Sequence, residues 1–321
     1  MGTHKGAFIL SADGKRDRWE VGGPHFSGCV ISDIAASAAQ PNRLYAAQNS
    51  GDPGPQVHRS DSGGLTWESL GVMPGRISSI VASRDLADTV YAACEDGTLL
   101  RSTDRGESWD ELSGPHAGGA REALQPAIML DPSSTDRIYV ASAAGVLRSN
   151  DGGASWRPLG EAGFEVQRLS MHAASPNLIF AQTANGLMRS NDGGASWSNV
   201  TGNLPSPFGH TVEVHAQEPE TIYVVPMKSA AEDFPVDGKL RVYRSRTGGT
   251  KWDPLTTGLP QRDCYVSIAR NALSADALEP CGLYFGTSGG AVYGSSDAGE
   301  SWMPIVRDLP AVYSVKVQTL P

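Results

Sequence analysis

Seven tryptophans set the rhythm of this chain. Trp19, Trp67, Trp109, Trp156, Trp197, Trp252 and Trp302 account for every tryptophan in the 321 residues, and they recur about every 47 residues. A period of that length running from end to end restricts the fold to an array of similar supersecondary units. Six of the tryptophans close a related octet: SDSGGLTW (60–67), STDRGESW (102–109), SNDGGASW (149–156 and 190–197), SRTGGTKW (245–252) and SSDAGESW (295–302). The seventh, SADGKRDRW (11–19), is one residue longer and degenerate.

The octet has the chemistry of a hairpin turn. Asp or Ser accepts backbone N–H groups, Gly supplies positive φ, and Trp opens the next strand and packs between sheets. Each octet is preceded by a short apolar segment (VHRS, TLLRS, GVLRS, GLMRS, RVYRS, AVYGS) and, further upstream, by an aromatic one (RLYAA, TVYAA, RIYVA, LIFAQ, TIYVV, GLYFG). A third apolar segment lies between one octet and the next aromatic strand: ISDIAAS, RISSIVAS, AIMLD, RLSMHA, TVEVHA, YVSIARN and YSVKVQ. Four short strands per period predict an all-β propeller of four-stranded antiparallel blades. The opening GTHKGA aligns with GTSGGA at 286–291, which makes Gly2 the end of a second strand, and the closing VYSVKVQTL reads as an innermost strand. The two ends are therefore expected to share one blade, giving seven blades and a single domain over 1–321.

The octets resemble the BNR or Asp-box repeat, S-x-D-x-G-x-[TS]-W, of sialidases, other glycoside hydrolases and bacterial repeat propellers. Four copies match in full, while Ser62 and Thr247 replace the aspartate in two others and Lys251 precedes the tryptophan in one of those. The resemblance implies that the boxes lie on the face away from the ligand. Asp104, Asp151, Asp192 and Asp297, with Trp67, Trp109, Trp156, Trp197, Trp252 and Trp302, are then structural residues and not catalytic ones.

Composition narrows the function classes. With 37 Gly and 21 Pro the chain is rich in turns, and at 40% hydrophobic residues it has the material for a packed core. A net charge of −9 without basic runs argues against nucleic acid and anionic membrane as partners. No apolar stretch approaches the ~18 residues of a span, and the start lacks the pattern of a signal peptide, so a cytoplasmic location is expected. Cys29, Cys94, Cys264 and Cys281 have no metal or redox spacing and read as small buried side chains.

Ligands of propellers are expected where loops enter the innermost strands. Arg76, Arg121 and Arg168 lie 9, 12 and 12 residues after their preceding tryptophans, so three successive blades present a guanidinium suited to carboxylate or phosphate. The competing reading pairs each arginine with Glu122, Glu165, Glu213 or Asp263. His25, His116 and His210 fall in equivalent loops, as ligand-binding residues or as the holders of a divalent metal. They lack zinc-motif spacing, so no cofactor is expected. His172 and His215, like Asp131, fit turn caps on the opposite face. The insertion 224–245 carries Lys228, Glu232, Asp233 and Asp237 on the ligand side.

Sialidases hold a substrate carboxylate with three arginines and use a tyrosine, a glutamate and an acid/base aspartate. On that resemblance Tyr265 and Tyr313 are candidate nucleophiles, Asp263 and Glu122 are candidate acids, and His210 is a further catalytic candidate. Arg76-Ile77-Ser78 stands nearest to the family's R-I-P motif. The expected function is binding of a small anionic or polar molecule, or of a protein partner, at the propeller face. The alternatives are a sialidase-like glycoside hydrolase and a metal-assisted lyase or lactone hydrolase.

Overall fold

The structure, a computed structural model, describes residues 1–113, 126–143, 145–160 and 165–320. The octet decides the local fold, and SNDGGASW at 149–156 shows how. Ser149 Oγ accepts the N–H groups of Asp151 (3.2 Å) and Gly153 (2.8 Å) and donates to Asp151 Oδ1 (2.7 Å). Asp151 Oδ1 accepts the Ser155 N–H at 2.9 Å, and its Oδ2 accepts the Ser155 hydroxyl. One serine and one carboxylate thus satisfy the turn's inward backbone donors, which leaves the chain no reason to continue as a strand. Gly153 has φ +98, and a Cβ there would run into the Leu112 side chain, so glycine is needed twice over.

Where aspartate is missing, a hydroxyl does its work. Ser62 Oγ accepts Thr66 N–H at 2.9 Å, and Thr247 Oγ1 accepts Lys251 N–H at 3.1 Å. Each turn is also tied to its own sheet. Gly63, Arg105, Gly152, Gly193, Gly248 and Ala298 donate N–H to the carbonyls of Asn42, Asp88, Asp136, Asn177, Glu220 and Cys281, which stand in the connections that lead into the second strands or, for Asn177, within the second strand itself.

These turns organise seven four-stranded sheets, all of whose pairings within the described residues run antiparallel. In order from first to fourth strand, the first sheet is Ile31–Ala36, Leu44–Gln48, Gln56–Ser60 and Glu68–Val72, and the second is Ile77–Ala82, Val90–Cys94, Leu99–Ser102 and Asp110–Glu111. The third is Ala127–Leu130, Ile138–Ser142, Gly145–Ser149 and Arg157–Leu159. The fourth is Val166–His172, Ser175–Thr183, Gly186–Ser190 and Ser198–Asn199, and the fifth is Gly209–Val214, Ile222–Pro226, Val242–Ser245 and Asp253–Leu255. The sixth is Leu273–Ala275, Leu283–Gly286, Val292–Ser295 and Met303–Val306. The seventh takes Val312–Ser314 first, then Gly2–Thr3, Gly6–Ser11 and Glu20–His25. The protein is a seven-bladed all-β propeller, and the strands nearest its two ends share one blade as expected.

Packing density divides the chain into two compact units. One is Met1–Ile9 with Gly23–Glu165, and the other is Leu10–Gly22 with Val166–Thr319. In both, the aromatic second strands form the core. Tyr45, Tyr91 and Tyr139 in the first unit, and Phe180, Tyr223 and Phe285 in the second, are at most 3% exposed. Strands buried on both faces read as continuous apolar runs and not as alternating ones, which is why the aromatic segments are legible in sequence. Polar side chains of the first strands latch onto the backbone of the next first strand. Asp33 Oδ2 accepts Ile80 N–H (3.1 Å) and Ser79 Oγ accepts Ile128 N–H (3.3 Å) in the first unit; Ser170 Oγ accepts Val214 N–H (3.1 Å) in the second. Among the described residues the one helical piece is the 3-10 turn Val236–Gly238, and no helix is long and apolar enough to cross a membrane.

One first strand differs from expectation. YVSIARN (265–271) reads as the innermost strand of the sixth blade, whereas the ladder begins two residues beyond its end, with Leu273 opposite Phe285 and Ala275 opposite Leu283. A turn, Ala272 N–H to Ala269 O at 2.9 Å, separates the two segments. The earlier segment spends its backbone groups elsewhere: Ser267 O accepts Ser288 N–H (2.9 Å), and just before the segment Cys264 N–H donates to Gly238 O (3.0 Å). Both YVSIARN and ALSADA satisfy a two-residue alternation, so pattern alone leaves the register open.

Candidate functional site

The second unit gathers charged side chains around its first strands. Arg168 stands within the strand Val166–His172, and its Nη1 donates to Asn271 Oδ1 at 2.8 Å. Asn271 is 3% exposed; its carbonyl accepts Val315 N–H at 2.9 Å, and it bridges Ser314 in parallel. Glu213, on the strand Gly209–Val214, feels Arg168 and Lys316 and accepts the backbone N–H of Ala275. Burial of its carboxyl pushes the pKa above the ordinary value, against the pull of both cations. Two cations thus act on the Glu213 carboxyl, and the Arg168 guanidinium donates to a neutral amide.

A second group sits on the insertion. The strand Ile222–Pro226 continues through the bridge Met227 to Pro235, and the loop folds on Met227 and Leu240, both fully buried. This aims Asp233 at the fifth blade, where His210 Nε2 meets Asp233 Oδ1 at 3.0 Å and Phe208 packs edge-on to the imidazole at 5.0 Å. Lys228 pairs with Glu232 (2.7 Å) and lies over the Phe234 ring, which meets Tyr265 edge-on at 5.3 Å. Tyr265 is 67% exposed. Asp263 is exposed in a left-handed turn at φ 51.

The residues singled out from sequence are distributed as follows. Arg76 directly precedes the strand Ile77–Ala82, is 56% exposed, and is paired through Nε with Glu95 Oε2 at 3.1 Å. The alternative in which an arginine is met by an acid of this chain thus holds for Arg76, although the acid, in the turn after Val90–Cys94, is not among those expected. Arg168 belongs to the other unit. Arg121, His116 and Glu122 lie outside the described residues. His25 is the last residue of the fourth strand Glu20–His25, and His210 is inside the strand Gly209–Val214 instead of in the loop before it. Burial lowers the pKa of His25, and the terminal ammonium adds to this. Among the described residues no group of three or more His, Cys, Asp and Glu forms a metal-binding cluster.

Other histidines cap turns. His172 Nδ1 accepts Ala174 N–H at 3.0 Å, and His215 Nδ1 accepts Gln217 N–H at 3.2 Å, as Asp131 Oδ1 does for Ser133 N–H at 2.8 Å. Asn271 and Lys316 escaped the sequence reading. Lys316 stands in the closing YSVKVQ segment, where comparison with the segment RLSMHA around Arg168 was the available signal. Asn271 had none, because the register of its segment was itself open.

No family model matches the chain, and no curated protein is similar to it in sequence. Solved structures are similar to it in fold. The GH74 xyloglucanase of Xanthomonas campestris superposes with a TM-score of 0.74 at 18% identity, over 95% of this chain and 52% of that one. YCF48 bound to D1 peptide superposes with a TM-score of 0.60 at 16% identity, over 87% of this chain and 82% of that one. The GH74 enzyme of Niastella koreensis gives 0.60 at 17% identity, over 85% and 45%. The chain thus spans about half the length of the xyloglucanase it matches. At these identities the likeness is one of fold, and fold does not carry function.

Proposed function

We propose that the chain is a binding propeller of the Asp-box type that takes a small anionic or polar ligand at Arg168. The observation that supports this is the hydrogen bond from Arg168 Nη1 to the neutral Asn271 Oδ1, with the charges of Arg168 and Lys316 both acting on Glu213. A guanidinium held by an amide keeps its charge for an incoming oxyanion, and charge-assisted bonds of this kind contribute about 1.5–3 kcal/mol. The site is locally cationic even though the chain carries a net charge of −9. Calorimetric titration with acetate, sulfate and small hydroxy acids tests it. Arg168→Ala weakens binding by about ten- to a hundredfold; equal binding by wild type and variant overturns the reading.

A second reading, a protein or peptide partner, is favoured by the exposed Tyr265 beside Phe234, and YCF48 bound to D1 peptide offers a precedent for a propeller of this size. The glycoside hydrolase reading draws on the GH74 enzymes. It needs two carboxyls at roughly 5–9.5 Å across a glycosidic bond. A panel of aryl glycosides with Asp263→Asn as the control tests it, and a flat panel removes it.

A further inference from the structure

In six blades the turn at the end of the first strand is closed by one side chain, and the type of that side chain changes around the chain. Ser37 Oγ accepts Gln40 N–H and Ser83 Oγ accepts Leu86 N–H, both at 3.2 Å; Asp131 Oδ1 accepts Ser133 N–H at 2.8 Å, and Asp276 Oδ1 accepts Leu278 N–H at 3.0 Å. The N–H groups of Ser37, Ser83, Asp131, His215 and Asp276 donate to the carbonyls of Arg43, Thr89, Arg137, Thr221 and Gly282, which fixes these places as equivalent. In the fourth and fifth blades the acceptor is an imidazole nitrogen: His172 Nδ1 takes Ala174 N–H at 3.0 Å, and His215 Nδ1 takes Gln217 N–H at 3.2 Å. Of the three kinds of side chain, the imidazole is the one whose acceptor is claimed by a proton near neutral pH.

Both imidazoles hold more than their own turn. His172 Nε2 donates to the carbonyl of Ala216, the residue next to His215, at 2.7 Å, so only the neutral ring with its proton on Nε2 meets both Ala174 and Ala216. Gln217, whose N–H rests on His215, extends its side-chain Nε2 to Ala277 O (3.0 Å) and Leu278 O (3.1 Å), in the turn that Asp276 caps. These bonds run from the fourth blade through the fifth to the sixth, all within the second unit. His215 is 6% exposed and stacks on Tyr223 at 6.3 Å, so a charge on it is cut off from water.

We propose that His215, coupled to His172 through Ala216, is an acid-sensitive clamp that holds the turns of the fourth, fifth and sixth blades together while neutral and releases them when protonated. A proton on Nδ1 sets a donor against the Gln217 N–H, which then has no acceptor inside the turn. Burial is the largest influence on His215 and lowers its pKa; Glu218 and Glu279 draw a proton in, while His172 and Arg244 oppose it. The Cys281 thiol, against the Ala216 backbone, is kept neutral by burial, which pushes its pKa up to about 11. With its folded value below the unfolded one, His215 contributes stability that is fully present above about pH 6.5 and is lost as pH falls through the folded value.

Amide exchange followed by NMR on the wild-type protein, from about pH 8 to about pH 4.5, with the His215 and His172 ring signals read in the same samples, tests the clamp. Protection of Gln217 N–H, taken relative to the intrinsic exchange rate, is expected to fall by up to about tenfold per pH unit once the His215 ring charges. Protection at Leu278, tied through the Gln217 side chain, falls with it, while that of Ser133, capped by Asp131, holds. His215→Asn supplies an oxygen acceptor that does not titrate, and its protection at Gln217 and Leu278 stays level over the same range. A His215 ring that stays neutral to the bottom of the range overturns the clamp, and so does one that charges with Gln217 protection unchanged. The same fall in wild type and in His215→Asn also overturns it, and where that variant does not fold, the wild-type titration decides alone.

Discussion

Arg168 and Asn271 are separated by about a hundred residues in sequence, yet Nη1 of one donates to Oδ1 of the other at 2.8 Å and so joins the fourth blade to the sixth. The Asn271 backbone is held in turn by Val315 N–H, so the amide is a fixed acceptor. Asn271→Asp puts a carboxylate at that point. The guanidinium then has an internal counter-ion, and affinity for small anions drops by at least about tenfold, with the thermal midpoint little changed because the hydrogen bond is kept and strengthened. Unchanged sulfate affinity in this variant would show that Arg168 is not the anion's partner.

The fold was legible because its determinants are local. Ser149, Asp151 and Trp156 lie within one octet, and each answers a backbone or packing demand inside its own turn. The site was legible only in part, because its members come from different blades. Arg168 was found by its distance from Trp156, but whether its partner would be Glu213, Asp263 or an amide depended on where the sixth blade's first strand begins. The shift from YVSIARN to Leu273–Ala275 brings Asn271 to the guanidinium and leaves Tyr265 exposed. His210 was placed near the rim, whereas its partner Asp233 arrives through an insertion whose fold rests on the burial of Met227 and Leu240.

The degenerate seventh octet has a structural outcome of its own. Its extra length carries Arg16, at φ 58, into the second unit, where Nη1 pairs with Asp276 at 3.1 Å and also donates to Pro280 O at 2.9 Å. Asp276 further accepts Gly282 N–H at 2.7 Å and the Tyr284 hydroxyl at 2.8 Å, and both charged side chains are under 10% exposed. Removing one partner of such a pair strands the other. Arg16→Ala is expected to cost about 3–5 kcal/mol in urea unfolding, and Arg16→Lys to recover only part of it, since an ammonium cannot span Asp276, Pro280 and Ser296 together. A loss under about 1 kcal/mol would mean that the segment 10–22 is not held by this pair.

Within a full octet the two serines are unequal. Ser149 is fully buried and its Oγ accepts the Gly153 N–H, whereas Ser155 is exposed. Ser149→Ala leaves that enclosed backbone donor unmet and is expected to cost about 1–3 kcal/mol. Ser155→Ala removes an exposed hydroxyl that serves the Asp151 carboxylate and is expected to cost less than Ser149→Ala. Chemical denaturation of the two variants, compared by midpoint at constant slope, separates them. Equal losses would contradict the division of labour within the turn.

The same Ser155 sets the acid limit of its box. Asp104, Asp151 and Asp192 have carboxyls lowered from 3.8 to about 2, the largest cause being the hydroxyl of Ser108, Ser155 or Ser196, followed by the N–H of the same residue. A carboxylate whose folded pKa lies below its unfolded one adds stability that is fully present above the unfolded value and is lost as pH falls through the folded value. The contribution of these carboxylates to stability is therefore fully present at pH 4 and above and is lost between about pH 4 and about pH 2. Carboxyl NMR titration of the folded protein should place the Asp151 midpoint near 2. In Ser155→Ala the midpoint should move up toward 3.8 while those of Asp104 and Asp192 stay, because each hydroxyl serves one carboxylate. A midpoint for Asp151 that does not respond to the loss of the Ser155 hydroxyl would assign the low value to the backbone N–H alone.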